Sequence, residues 1–269
     1  CWKRHGHGWM NLTSAMRESC DVWFYDVARR IGVDRIAAMA NRLGLGAPTG
    51  LDLRGEGRGL IPTKQWKRDK KGQPWHQGET LVVGIGQGYV LTTPLQLAVM
   101  TARTVNGGRA VTPHLTRMKI DGREITEREG GRAFPDIGIP QEHLEIVRRS
   151  LDEVVNHAKG TARKSAIADE DWQMGGKTGT AQVRRISKAE REAGIRKGED
   201  IAWRLRDHAL FVGFAPVHKP RYAVSVVVEH GGGGSKAAAP IARDVLLELR
   251  RLGIHLASGD LPLAGEEAL

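Results

Sequence analysis

Apolar positions along the chain change their period once. Up to about residue 160 they recur every three to four residues, which gathers side chains on one side of a helix; from about residue 172 they fall in short blocks, as in strands. The pattern predicts helices over 12–17 and 22–31, hinged at Ser19-Cys20-Asp21, with Asp21 capping the second through its carboxylate and Gly32 ending it. A third helix fits 34–43, capped by Asp34 and stopped by Gly44. Pro94 in a first turn, with Thr93 before it and Gln96 near the third position, opens a helix over 94–105, and Pro140 opens another over 141–157. Between these, 44–89 is rich in glycine, proline and tryptophan and reads as long surface loops, 109–120 alternates loosely, and 121–138 reads as charged loop.

Strands follow at 172–183, 208–215 and 221–229, the last two joined by the short 216–220 turn as an antiparallel hairpin. After the glycine run 231–234, read as a lip beside the 172–183 strand, a final helix runs from Ser235 to about Leu252, and 255–269 reads as an acidic, unanchored tail. Helices, then an antiparallel sheet, then a returning helix make an α+β architecture, with a helical lobe beside a sheet lobe and the site at their junction. There is no internal repeat.

A hydrophobic content of 40% with 27% charged residues suits one large domain over 1–254. The longest apolar stretches, near 209–215 and 222–228, fall short of the ~20 residues of a membrane-spanning helix. A net charge of +10 raises nucleic acid as a partner, but the positive residues are scattered. Their densest stretch, 184–207, holds eight Arg/Lys against five Asp/Glu, the mix of a solvated excursion. With no recognition motif, nucleic-acid binding is excluded; an anionic cell-wall polymer or lipid surface fits the charge equally well.

The candidate chemistry lies in Gly175-Gly176-Lys177-Thr178-Gly179-Thr180-Ala181. On a strand, Lys177 and Gly179 share one face with Ala181 while Thr178 and Thr180 share the other. Glycines at 175, 176 and 179 would let a substrate backbone lie against the strand and pair with it. Lys-Thr-Gly, with Ser-x-x-Lys and Ser-x-Asn, is the motif set of penicillin-binding proteins and class A β-lactamases. Ser19-Cys20-Asp21 supplies the second element in altered form, but no serine in the chain has a lysine three residues later. The expectation is an N-terminally truncated chain without its nucleophile.

More of the chain carries the likeness. Trp9-Met10-Asn11-Leu12-Thr13, Gly50-Leu51-Asp52-Leu53, Pro62-Thr63-Lys64-Gln65-Trp66, Pro74-Trp75-His76-Gln77-Gly78-Glu79-Thr80, Gly84-Ile85-Gly86-Gln87-Gly88-Tyr89, Thr92-Thr93-Pro94-Leu95-Gln96 and Arg206-Asp207-His208 together resemble the penicillin-binding protein 2 family, up to about residue 252. The resemblance implies the penicillin-binding protein and serine β-lactamase-like fold. It implies a monofunctional peptidoglycan D,D-transpeptidase that cross-links stem peptides in cell elongation and is acylated by β-lactam antibiotics. Ser19 and Lys177 would pass a proton to the departing D-alanine, with Asp21 orienting Lys177. The Thr178 and Thr180 hydroxyls would hold the terminal carboxylate, beside Gly179, and the Thr180 N–H would be half of an oxyanion hole. Implied partners are elongation-complex membrane proteins, including a glycosyltransferase. The implied place is the periplasmic face of the bacterial inner membrane, with a membrane anchor upstream of this chain. Other readings of the same fold are a D-Ala-D-Ala carboxypeptidase, a β-lactamase or a non-catalytic β-lactam-sensing domain.

Cys1, His7 and Cys20, spaced by five and twelve residues, look like part of a zinc site completed from elsewhere. The resemblance places a structural zinc at these positions in some family members; the chemistry itself needs no cofactor. A Cys1–Cys20 disulfide in an oxidising compartment, or an unligated buried thiol at Cys20, are the alternatives.

Overall fold

The computed structural model describes residues 1–3, 5–115, 118–121, 124–127, 134–184 and 201–252. Helices α1 (Leu12–Arg17), α2 (Asp21–Ile31), α3 (Val33–Arg42), α4 (Lys64–Lys71), α5 (Gln77–Val83) and α6 (Pro94–Val105) precede a hairpin of β1 (Met118–Asp121) and β2 (Glu124–Glu127). Then come α7 (Gln141–Asn156), β3 (Gly175–Ala181), β4 (His208–Ala215), β5 (Tyr222–Val228) and α8 (Ala238–Arg251). The α+β expectation holds.

Several boundaries follow the residues that predicted them. Thr93 accepts the N–H of Gln96, whose side chain accepts that of Thr93, so α6 starts on a reciprocal capping box with Pro94 in its first turn. Gly32 ends α2 at φ 82°. The two aspartate caps are corrected. Cys20 is the N-cap of α2 and makes no side-chain cap bond, while Asp21 is already the first helical residue. Asp34 lies inside the first turn of α3, where it accepts the N–H of Lys64 at the start of α4.

The 44–89 stretch is likewise more helical than its composition predicts. In α4 (KQWKRDKK) Trp66 is the lone apolar residue, so no amphipathic period is visible; the helix starts instead on Thr63, which accepts the Trp66 N–H, and ends on left-handed Gly72. Lys67 from α4 is 1% exposed, its ammonium held by both carboxylate oxygens of Glu79 at 2.5 and 2.6 Å, with the Trp75 ring 5.9 Å away. The tryptophans here are packing residues, as the Trp66–Tyr89 contact at 5.1 Å also shows. The β1–β2 hairpin falls across the expected alternating segment and charged loop. Most of the 184–207 excursion and all of the 255–269 tail lie outside the described residues.

The main sheet is antiparallel, in the order β3-β4-β5, so β3 is paired on one side only. Alternation along β4 sends Ala209, Phe211 and Ala215 into a core with Ala238, Ala239, Ala242 and Leu246 of α8, while Phe214 faces the other way into Val105 of α6 and Leu151 of α7. Helices thus cover both faces of the sheet and leave the β3 edge at the helical lobe.

Candidate active site

Lys177 sits in register with Val212 on the edge strand. Its Nζ donates to Ser19 Oγ at 2.5 Å and to the Thr178 carbonyl at 3.0 Å, joining two motifs 158 residues apart. Ser19 occupies the turn between α1 and α2 at φ 51°, a left-handed conformation that serine adopts only when its surroundings hold it there. The Trp2 indole N–H lies 3.0 and 3.1 Å from the carbonyls of Glu18 and Ser19, and the Trp2 backbone N–H donates to Asp21 Oδ2 at 3.3 Å. Desolvation pushes the Lys177 pKa down from 10.5 to about 8, against the opposing pull of the Asp21 charge. Ser19, Asp21 and Lys177 therefore come together as the sequence predicts.

The rest of the strand needs one correction. Gly175 and Gly176 face the core rather than a ligand: a Cβ at 175 would lie 2.6 Å from the Phe214 ring, and one at 176 would run into the Phe211 ring and the Val212 carbonyl. Their smallness lets β3 pack on β4. Gly179 is closely approached by Gly234, which places the 231–234 run beside β3. Thr178 Oγ1 lies 3.0 Å from Thr161 Oγ1, and Thr180 is exposed at the edge. From the 84–89 loop, Gln87 Nε2 donates to the Thr180 carbonyl at 2.7 Å, and its Oε1 lies 3.4 Å from the Gln182 N–H.

Sequence reasoning missed Trp2, Gln87 and Thr161. The first two lie in or beside segments that carry the family likeness, which is the only signal they offer; Thr161 follows α7 without any period or motif.

Cys1, His7 and Cys20 also converge. Their donor atoms all lie within 4.8 Å of one another, with Cys1 Sγ and His7 Nδ1 3.4 Å apart. Both cysteines are free thiols, Cys20 buried. Bonds of about 2.0–2.3 Å to a tetrahedral zinc would space its ligands at such distances, so the three donors fit three corners of a site. His7 Nε2 is buried without a hydrogen-bond partner, so this part of the site is not completed by protein atoms among the described residues.

The family described as the penicillin binding protein transpeptidase domain matches residues 1–247. Peptidoglycan D,D-transpeptidase MrdA of Haemophilus influenzae is 42% identical over 248 residues, 91% of this chain and 37% of that protein. Its counterpart in Escherichia coli K12 is 37% identical over 247 residues, covering 91% and 38%. Among solved structures, Pseudomonas aeruginosa PBP2 in complex with WCK 5153 is similar at a TM-score of 0.76 and 39% identity, covering all of this chain and 52% of that one. The Helicobacter pylori PBP2–MreC complex gives a TM-score of 0.79 at 33% identity, covering 94% and 42%. The chain spans under two fifths of the length of those two curated relatives. Matched over nearly all its length by that domain, and with penicillin-binding proteins 2 as its relatives in both sequence and structure, the chain belongs to the penicillin-binding protein transpeptidase family, in its type 2 branch.

Proposed function

We propose that this chain carries the proton-handling and substrate-holding part of a peptidoglycan D,D-transpeptidase that cross-links stem peptides through a serine acyl-enzyme during cell elongation. The observation that carries the reading is the Lys177–Ser19 contact, with an ammonium whose pKa lies near 8. A group with that pKa beside a hydroxyl can take and return a proton near neutral pH. The nucleophilic serine is assigned to a segment upstream of Cys1, because no Ser-x-x-Lys occurs in these residues. Its hydroxyl would attack the carbonyl of the penultimate D-alanine, and its proton would travel through Lys177 and Ser19 to the departing D-alanine amine. The amine of a neighbouring stem would then take the acyl group. The Thr180 N–H on the open edge would donate to the developing oxyanion, and the Thr178 and Thr180 hydroxyls would bind the substrate carboxylate, Thr178 steadied by Thr161.

The partners follow from the neighbours: a PBP2 is solved with MreC, and another similar structure is a peptidoglycan synthase complex. We therefore place the protein with the elongation membrane proteins, including a glycosyltransferase, on the periplasmic face of the inner membrane. Its anchor is assigned upstream, since among the described residues no helix is long and apolar enough to cross a membrane. Cys1, His7 and Cys20 would hold a structural zinc behind Ser19, stiffening the turn that carries it.

The test is intact-mass analysis after exposure to benzylpenicillin, with assay of D-alanine release from a stem-peptide dimer. The full-length protein should gain one penicilloyl group, release D-alanine and form cross-linked product, whereas the 269-residue chain should gain none. Release of D-alanine without cross-linking would make the enzyme a carboxypeptidase. An adduct on the 269-residue chain would place the nucleophile within it.

A further inference from the structure

The open edge of β3 is where a peptide-like ligand would join as an added strand, and its polar groups are not equally available. In an antiparallel strand the N–H and C=O of one residue point the same way. The Thr178 and Thr180 carbonyls are met from outside the sheet, so residues 178 and 180 present both backbone groups to the open edge. The Thr178 carbonyl accepts from Lys177 Nζ at 3.0 Å, and the Thr180 carbonyl accepts from Gln87 Nε2 at 2.7 Å. Two acceptors are thus taken by the protein's own side chains, leaving the N–H groups of Thr178 and Thr180 for a ligand.

Gln87 is well placed to hold its carbonyl. It lies half-buried between Gly86 at φ 75° and Gly88 at φ 76°, two positions that favour glycine. Its own N–H donates to the Val82 carbonyl at 3.1 Å. The tie from this loop to β3 spans 93 residues and reaches from the helical lobe to the sheet.

We propose that Gln87 determines specificity at the acyl-transfer site: it occupies the Thr180 carbonyl, so the site favours ligands that meet this edge with acceptor atoms and disfavours those that must bring an amide N–H to that carbonyl. The proposal rests on the acyl-transfer reading above. An incoming N–H must either displace the Gln87 amide, stranding a half-buried polar group, or share the carbonyl at poorer geometry. Each course costs about one net hydrogen bond, a factor of about two to ten in rate. A residue that merely fastened the two lobes would affect all ligands alike.

The experiment measures second-order acylation rate constants of the full-length protein with benzylpenicillin, which carries a secondary amide N–H beside its lactam ring, and with a carbapenem, which carries a hydroxyethyl group there. Gln87→Ala removes the bridge; Gln87→Glu keeps its length but replaces the donor with an acceptor. Both variants should raise the benzylpenicillin-to-carbapenem rate ratio about two- to tenfold. Because a ratio is read, incomplete folding lowers both rates together and cannot imitate that result. An unchanged or lowered ratio overturns the proposal, while a wild-type protein that neither ligand acylates removes the acyl-transfer reading itself.

Discussion

Lys177 is the residue on which stability and chemistry pull in opposite directions. With its pKa near 8 when folded and 10.5 when exposed, it binds fewer protons in the folded than in the unfolded protein between those values. Its contribution to stability therefore rises with pH from about 8 to about 10.5 and is least favourable below 8, where both states carry the charge. Lys177→Met should stabilise the folded protein at pH 7 by about 1–3 kcal/mol, read by urea denaturation, while abolishing acylation; a destabilised variant would show that the Ser19 hydrogen bond outweighs desolvation. Ser19→Gly makes the complementary case. Glycine adopts the φ of 51° without the ~1–2 kcal/mol that a left-handed L-residue bears, so the variant should be at least as stable as wild type yet acylate slowly. A clear loss of stability would place the value of Ser19 in packing instead. At this scale the sequence was informative where residues share a short motif, as at Lys177, Thr178, Thr180, Ser19 and Asp21. It was silent on Thr161, whose contact with Thr178 exists only through space.

Elements whose burial leaves a period in the sequence were legible; those held by other forces were not. Strand β4 was read to the residue, whereas α4 is charged nearly all round and is fixed by the Thr63 cap and the buried Lys67–Glu79 pair. The glycines of β3 were read as room for a substrate, and the structure assigns two of them to the core. Gly176→Ala should therefore destabilise the fold by about 3 kcal/mol or more, since Phe211 and a backbone carbonyl already fill the space; a calorimetric shift of under a degree or two would contradict this packing. Thr178→Val keeps the shape of its side chain but leaves the Thr161 hydroxyl without its partner. It should slow acylation by about 1–3 kcal/mol of lost interaction, and ligands lacking a carboxylate should feel the change much less. Equal losses for both ligand types would move the carboxylate elsewhere.

For the whole molecule, the order of elements and the meeting of lobes at a strand edge followed from the change of period near residue 172, because one lobe is built on helix contacts and the other on strand pairing. The convergence of Cys1, His7 and Cys20 required the fold, since three ligands over 20 residues specify no geometry by themselves. If they hold zinc, the full-length protein should keep about one zinc per chain after desalting, lose it on Cys20→Ser, and melt at a lower temperature with chelator because metal binding adds to folding free energy. Metal-free protein of undiminished stability would leave the cluster without that role. The central claim is that Lys177, pressed against Ser19, moves the proton in acyl transfer. The most direct measurement is the benzylpenicillin acylation rate constant of full-length wild-type and Lys177→Ala protein between pH 6 and 10: the wild-type profile should inflect near 8, and the variant should be slower by about 100-fold or more with that inflection gone, whereas a variant within a few-fold of wild type and with the same profile would contradict it.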